Sequence, residues 1–337
     1  MTARTVTAAV KSSATHPKRA LCTVRTATRR PCIGSLPRLA LGARSLLTPC
    51  PVAAAILPLA PVEPVPLPTE PPYPANVSLL PLTTGHLYLR DHQPDDRTRP
   101  CLILLHGIGD DGEPLATWCQ PLRGHLRCII PDLRGHGWSS RQASYSLNDY
   151  SHDLLTLLDS LQQPAHLFGH SLGGLIAMQV ARTHPGKVSS LILEDPPLFH
   201  LVDSITSKPH IAAAFSRLHQ QRCAAKDHAQ LLATMLDEDP ERPLEQVRRR
   251  CSKHMACDPA VWEAALSNQL QAPTTTAPIT CPTTLLQGNP NRGGVIAEGE
   301  EGMLQAICPH LQQHLVPECG HNPRYGAMDV IQAHLAG

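Results

Sequence analysis

From about residue 75 onward the chain alternates short apolar runs with longer stretches whose apolar residues recur at helical spacing. The segments VSLLPL and GHLYLRD alternate apolar and polar positions around the turn TTG, which predicts an antiparallel hairpin. CLILLHG (101–107) is continuously apolar and ends in glycine, the pattern of a strand buried on both faces. LRCIIPDLRGHGWSS opens with a second such run and leaves into a Gly-rich loop. SLNDYSHDLLTLLDSLQ starts with Ser146 or Asn148 as cap, and then Leu154, Leu157, Leu158 and Leu161 recur on one helical face. AHLFG reads as a strand, LGGLIAMQVARTH as a helix and VSSLILED as a strand again. PTTLLQG (282–288) and HLQQHLVPECGH supply two further strands, and AMDVIQAHLAG closes with a helix. This alternation predicts a mostly parallel sheet covered by helices.

The rhythm lapses twice. Residues 197 to about 275 carry helical patches, such as HIAAAFSRLHQQRCAAKDHAQLLATML, and no clear strand, which predicts a helical insertion. Residues 1–75 differ in composition from the rest. The first 62 hold nine Lys or Arg and no Asp or Glu, and proline becomes dense between Pro49 and Pro74. The first part is similar in composition to a transit peptide, or to a disordered extension. TRRPC (28–32) invites comparison with a twin-arginine export signal, but Pro37, Arg38 and Arg44 interrupt any apolar run behind it. The proline stretch reads as an extended linker. The expected division is therefore a disordered, Arg-rich then Pro-rich extension over 1–75 and one domain over 76–337.

Composition narrows the function classes. A net charge of +1 argues against a dedicated nucleic-acid binder, and no apolar run reaches the ~18 residues of a membrane span. Aromatics make up 3%, so Leu, Ile, Val and Ala must build the core. The 12 cysteines form no CxxC pair. Cys251 and Cys257 lie near His254, but at no standard zinc spacing, so no metal is expected. The thiols suit a reducing compartment. The cytoplasm is the expected location, with organellar import or export through the N-terminal segment as the alternatives. The oligomeric state is left open.

The chemistry centres on HLFGHSLGG (166–174), where Gly169-His170-Ser171-Leu172-Gly173 is a G-x-S-x-G between a predicted strand and a predicted helix. A chain that turns abruptly from strand to helix strains its apex residue and needs small neighbours two positions to either side. The Ser171 hydroxyl would stand above the sheet at the positive end of the helix. A serine hydroxyl needs a base, and the base an orienting partner. His321, in VPECGHNPR after the last strand, is the best base; His170 adjoins the serine and should diverge from it, and His136 sits in an earlier loop. Attack on a carbonyl also needs backbone N–H donors for the oxyanion, and Ile108 in LLHGIGDDG and Leu172 are placed to offer them. Gly107 and His170 are expected to border the substrate. Asp132 is expected to order its own loop with Arg134, and Asp110 and Asp111 to be solvated loop carboxylates near the pocket mouth.

These residues resemble the α/β-hydrolase superfamily over roughly residues 77 to 337. LLHGIG is similar to its oxyanion segment, PDLRGHGWSS to the loop after its fourth strand, GHSLGG to its nucleophile elbow and GHN to its histidine loop. The resemblance implies an eight-stranded, mainly parallel sheet with helices on both faces, a helical cap after strand six (about 197–275), and a Ser-acid-His triad in that chain order. The acid departs from the pattern. Where an Asp is usual after strand seven, this chain reads LLQGNPNRGG, with Asn289 and Asn291. Asp195, in LILEDPP at the end of strand six, is the favoured substitute, as in some members of the superfamily. Its neighbour Glu194 should face the other way. Glu298, another group of the strand-seven loop, or no working acid are the alternatives. The expected activity is a cofactor-free serine hydrolase acting on a small-molecule ester, thioester or activated carbonyl. The rivals are a catalytically impaired binding protein of the same fold and a C–C hydrolase or haloperoxidase-like enzyme.

Overall fold

A computed structural model describes residues 76–272 and 277–337. The extension expected over 1–75, with its targeting and linker segments, lies outside the described residues. Eight strands form one sheet: β1 (Val77–Pro81), β2 (His86–His92), β3 (Cys101–Leu105), β4 (Arg127–Pro131), β5 (Ala165–His170), β6 (Val188–Glu194), β7 (Thr283–Gly288) and β8 (Leu311–Val316). Their order is β1-β2-β4-β3-β5-β6-β7-β8. β1 and β2 form the expected antiparallel hairpin, β2 is antiparallel to β4, and every other pair is parallel.

The central strands are apolar throughout because both of their faces are covered. Ile103, Leu105, Ile129, Leu167, Leu191, Leu193 and Leu285 join one core cluster. Their strand neighbours Leu102, Leu104, Cys128, Ile130, Phe168, Ile192 and Leu286 join another. This is the two-residue alternation of a pleated strand between two helical layers. On the first face pack α2 (Leu147–Leu161), α3 (Leu172–Thr183) and α8 (Glu301–Ile307), through residues such as Leu154, Leu157, Ile176 and Leu304. On the second face pack α1 (Glu113–Trp118) and α9 (Met328–Ala336), through Leu115, Ala116 and Ile331.

The cap of α2 is Ser146 rather than Asn148. Its Oγ accepts the Asp149 N–H while the Asp149 carboxylate accepts the Ser146 N–H, a reciprocal pair that satisfies two otherwise orphaned donors. Neither α1 nor α8 was expected from the pattern; both are under two turns, too short for a helical period to stand out. Between β6 and β7 the described chain is helical: α4 (Pro209–Ala224), α5 (His228–Glu238), α6 (Leu244–Ala256) and α7 (Pro259–Leu266). α5 and α6 form a small core of their own around Leu231, Met235, Val247 and Cys251.

Two histidines are enclosed in this fold without charge. His136 is fully buried and His200 nearly so, and burial pushes their pKa values down to about 3 and about 4. In the unfolded chain both would take up a proton near pH ~6.5. The folded state therefore binds fewer protons between that pH and about 4. The stability these neutral rings support is fully present above pH ~6.5 and declines as the pH falls, by up to about 1.4 kcal/mol per pH unit for each ring. Urea denaturation at pH 7, 6 and 5 is expected to show a midpoint that moves steadily lower. A midpoint that holds or rises over that range would contradict the neutral, buried assignment.

Candidate active site

Ser171 is the single residue between β5 and α3, with φ +52° and ψ −115°. A non-glycine residue in such geometry costs on the order of 1–3 kcal/mol and persists only where its surroundings enforce it. The enforcement is visible. The Ser171 N–H donates to the Glu194 carbonyl at 3.0 Å, and the Ser171 carbonyl accepts from Gly174 and Leu175 at 2.9 and 3.2 Å. A Cβ at Gly169 would collide with the Gly173 carbonyl, and one at Gly173 with the Leu105 carbonyl. Only two glycines let strand, turn and helix pass this closely. The hydroxyl stands at the start of α3, where the first N–H groups lack helical partners.

His321 lies between β8 and α9, and its Nδ1 is 2.7 Å from Asp195 Oδ2. Asp195 follows β6 directly, has φ +42° and is fully buried. Its Oδ1 accepts the Gly288 N–H at 3.1 Å, and its Oδ2 also accepts the Val295 N–H at 2.7 Å. Three donors, from the end of β7, the segment after it and the segment after β8, thus converge on one carboxylate. Glu194, one residue earlier, faces elsewhere, as strand alternation requires. It accepts the Arg324 backbone N–H at 2.8 Å and the Arg324 guanidinium at 2.5 Å. Burial works against the Arg324 charge, but the Glu194 carboxylate outweighs it and raises the guanidinium pKa; burial likewise raises that of Glu194, against the pull of Arg324. The close two-point contact favours the ionised pair.

His170 ends β5 and turns its Nε2–H toward the His321 carbonyl oxygen at 2.9 Å, with the two rings 4.6 Å apart. Burial, reinforced by His321 and Arg324, drives its pKa well below the ordinary imidazole value, so the ring is neutral. Ser171, His321, His170, Gly107, Ile108 and Leu172 all border one cavity of about 270 Å³. Among the described residues the Ser171 hydroxyl has no hydrogen-bond partner, and neither the Ile108 nor the Leu172 N–H has an acceptor. Nucleophile–base contacts are often open in unliganded sites and close on substrate. The roof of the cavity is apolar: Phe199, Ile211, Phe215, Leu218, Trp262 and Leu270 come from the segment between β6 and β7.

Several other expected residues have different surroundings. Asn289 and Asn291 are outside the site. Asn289 accepts the Asn291 N–H and donates to the Pro317 carbonyl, so both serve their own turn. Glu298 is exposed. Asp132 does order its loop, accepting the Trp138 N–H at 2.9 Å, but its cation is Arg90 of β2 at 2.5 Å. Arg134 instead pairs with Asp153 of α2 at 2.6 Å, because the loop carries the two residues to opposite sides. Asp110 is not merely solvated: it holds Lys253 of α6 at 2.5 Å beside the cavity. His136 accepts the Gly109 N–H through Nε2 at 3.1 Å and is fully buried, out of reach of any substrate. Cys251, His254 and Cys257 each bind a different carbonyl, those of His228, Leu218 and Asp258. Arg324 and Trp262 were missed by sequence reasoning. Arg324 had one signal, since a buried acid at position 194 needs a cation; Trp262 had none.

A family model described as the alpha/beta hydrolase fold matches residues 100–324. An uncharacterised protein of Mycobacterium tuberculosis is 41% identical over 98 residues, 28% of this chain and 28% of that protein. The chain thus matches under a third of the length of the first curated relatives. A pimeloyl-[acyl-carrier protein] methyl ester esterase of Yersinia enterocolitica is 25% identical over 225 residues, 66% of this chain and 86% of that one. A crystal structure from a study of carboxylesterases of Nitrososphaera gargenis shares the fold at TM-score 0.62 and 20% identity, over 77% of this chain and 98% of that one.

The Glu194–Arg324 contact generates a stability prediction. Arg324→Met leaves a fully buried carboxylate without its cation, which is expected to cost about 3–5 kcal/mol. Urea denaturation of the variant measures it. A loss below about 1 kcal/mol would mean that Glu194 is not held as an ion.

Proposed function

The chain belongs to the α/β-hydrolase fold family, and on that premise we propose that it is a serine hydrolase that cleaves small uncharged esters through an acyl-enzyme. The observation that carries this reading is the 2.7 Å contact between His321 Nδ1 and the buried Asp195 carboxylate, at the rim of the cavity that Ser171 borders. A carboxylate can only accept, so the Nδ1 proton is held toward Asp195 and Nε2 is left as the base. His321 takes the Ser171 proton as Oγ attacks the carbonyl carbon. The N–H groups of Ile108 and Leu172 receive the oxyanion, an arrangement worth several kcal/mol in a site closed to water. His321 then returns the proton to the leaving alcohol, and water repeats the sequence on the acyl-enzyme. The Asp195 carboxylate orients the ring and stabilises the imidazolium as it forms.

The substrate class follows from the cavity. About 270 Å³ lies just under the usual range for ligand pockets, and its roof is apolar. Two of the three histidines on its wall, His170 and His200, are kept neutral by burial, and Asp110 is already paired with Lys253. Nothing among these groups would hold an anionic acyl chain, so a compact, uncharged acyl group is favoured, with Gly107 and His170 beside it. The helical segment of about 197–275 serves as a cap over the domain of 76–337. The esterase named among the relatives agrees with ester chemistry. The rival reading of a catalytically impaired binding protein rests on the missing Asp after strand seven; Asn289 and Asn291 serve their own turn, and in this proposal Asp195 supplies the carboxylate. That leaves the binding reading without its original support.

A fluorophosphonate probe is expected to label Ser171 in folded protein, and Ser171→Ala to abolish both labelling and turnover. Asp195→Asn is expected to lower kcat by roughly 10⁴-fold, the loss typical of a triad without its carboxylate. Activity within a few-fold of wild type in that variant removes Asp195 from the mechanism. Among p-nitrophenyl esters, acetate to hexanoate should be cleaved faster than palmitate; the reverse order would rule out the compact acyl site.

A further inference from the structure

The loop that carries Ile108 is held by its own Asp110, which accepts the Asp111 N–H at 2.9 Å, and from outside at Gly109. Ile108, Gly109 and Asp110 follow β3 as a turn, with Gly109 at φ +72°. Two residues from elsewhere in the fold meet at Gly109. From the core side, His136 Nε2 accepts its N–H at 3.1 Å. From the insertion side, the indole of Trp262 in α7 lies so close that a Cβ on Gly109 would stand 2.5 Å from its ring. We propose that His136 and Trp262 are positioning residues that clamp Gly109 between them and so aim the adjacent Ile108 N–H at the oxyanion. The inference rests on the serine-hydrolase reading given above.

The clamp is itself anchored. His136 must keep its proton on Nδ1, because Nε2 accepts from Gly109 while Nδ1 donates to the Arg134 carbonyl at 2.9 Å. The neighbouring ring of His106 does the same on the other side of the crossing: Nε2 accepts the Leu133 N–H at 2.9 Å, and the rings meet edge to face at 5.1 Å. Two imidazoles thus tie the loop after β3 to the loop after β4. Burial keeps His136 neutral, and so preserves Nε2 as the acceptor of the Gly109 N–H. Trp262 is held from behind by Phe215 at 5.3 Å, and α7 is tied to the same loop by the Asp258 N–H, which donates to the Gly135 carbonyl at 2.8 Å. Lys253 on α6 adds its contact with Asp110. The roof and the proposed oxyanion loop are therefore tied together at several points. The GHG of the β4 loop gains a specific task in this arrangement: supporting a donor that it does not itself contain.

His136 has no surface in the cavity, so its replacement leaves the walls around the substrate unchanged. His136→Gln keeps an acceptor near the Nε2 position; His136→Leu removes it. In His136→Leu, kcat for p-nitrophenyl acetate is expected to fall on the order of 10- to 100-fold, short of the 10²–10³ lost when a donor itself is removed. KM should stay within about twofold of wild type by the same reasoning. The inhibition constant of a trifluoromethyl ketone, whose Ser171 adduct carries an oxyanion, should rise with the loss in kcat. His136→Gln should recover most of both. Trp262→Leu should lower kcat for the acetate ester, which is too short to need the roof. Hydrogen exchange of residues 107–111, followed by mass spectrometry, reads the clamp without any turnover: protection should be lost in His136→Leu and largely kept in His136→Gln. Unchanged exchange in His136→Leu overturns the clamp. Faster exchange with unchanged kcat and inhibition overturns its role in positioning, as does equal activity loss in the Leu and Gln variants. If His136→Leu does not fold, exchange and kcat in Trp262→Leu decide the same question. Wild-type protein without Ser171-dependent turnover would instead remove the hydrolase reading, while the exchange result still judges the clamp.

Discussion

The arrangement depends on three backbone segments passing at contact distance where β5 turns into α3. The Leu105 carbonyl lies against Gly173, and the Gly173 carbonyl against Gly169. Between them Ser171 is forced to φ +52°. Because the crossing leaves no room for a Cβ, the chain cannot relax this strain by sliding. The strain is offset by burial over the rest of α3, which is enclosed along most of its length, with Leu172 to Arg182 all buried. The same crossing sets Leu172 at the start of α3 and Ile108 beyond β3 on the rim of one cavity. The proposed nucleophile and oxyanion donors therefore share a single steric constraint.

The histidine loop is governed by different forces. It leaves the edge strand β8, whose outer positions are partly exposed. Polar contacts from the ends of β5 and β6 hold it in place. His170 at the end of β5 takes the His321 carbonyl, Asp195 takes the imidazole, and Glu194 takes Arg324 three residues later. A loop fixed at three points by buried polar groups keeps one ring orientation, which the proposed role of His321 requires, since a base displaced by about 1 Å loses much of its effect. The cost is the enclosure of a charged pair, a contact of greater value for orientation than for net stability.

Much of the candidate site was legible in the residue pattern. Ser171 and His321 were marked by their place between a strand and a helix and by their neighbouring glycines, which are local signals. Asp195 was favoured through the resemblance to the superfamily, some of whose members take the acid from the end of strand six. The Arg134 assignment for Asp132 was wrong because it assumed that charges close in sequence pair. The loop sends Asp132 back to β2 and Arg134 out to α2, and Arg90 lies 42 residues away. Trp262 illustrates the harder case, since nothing near position 262 marks it as a neighbour of Gly109.

Apolar periodicity and glycine placement, read alone, determined the strands, the longer helices, the helical insertion and the bend at Ser171. Each is a property of a few consecutive residues, where backbone sterics and burial act over one or two turns. The tertiary structure decided which of two adjacent carboxylates meets His321, which arginine balances the other, and what rests on the oxyanion loop. Those choices depend on strand order, which places the ends of β5, β6, β7 and β8 side by side, and on how the insertion folds back across them. Such distances are set by the packing of the whole sheet, and no short stretch of sequence contains them.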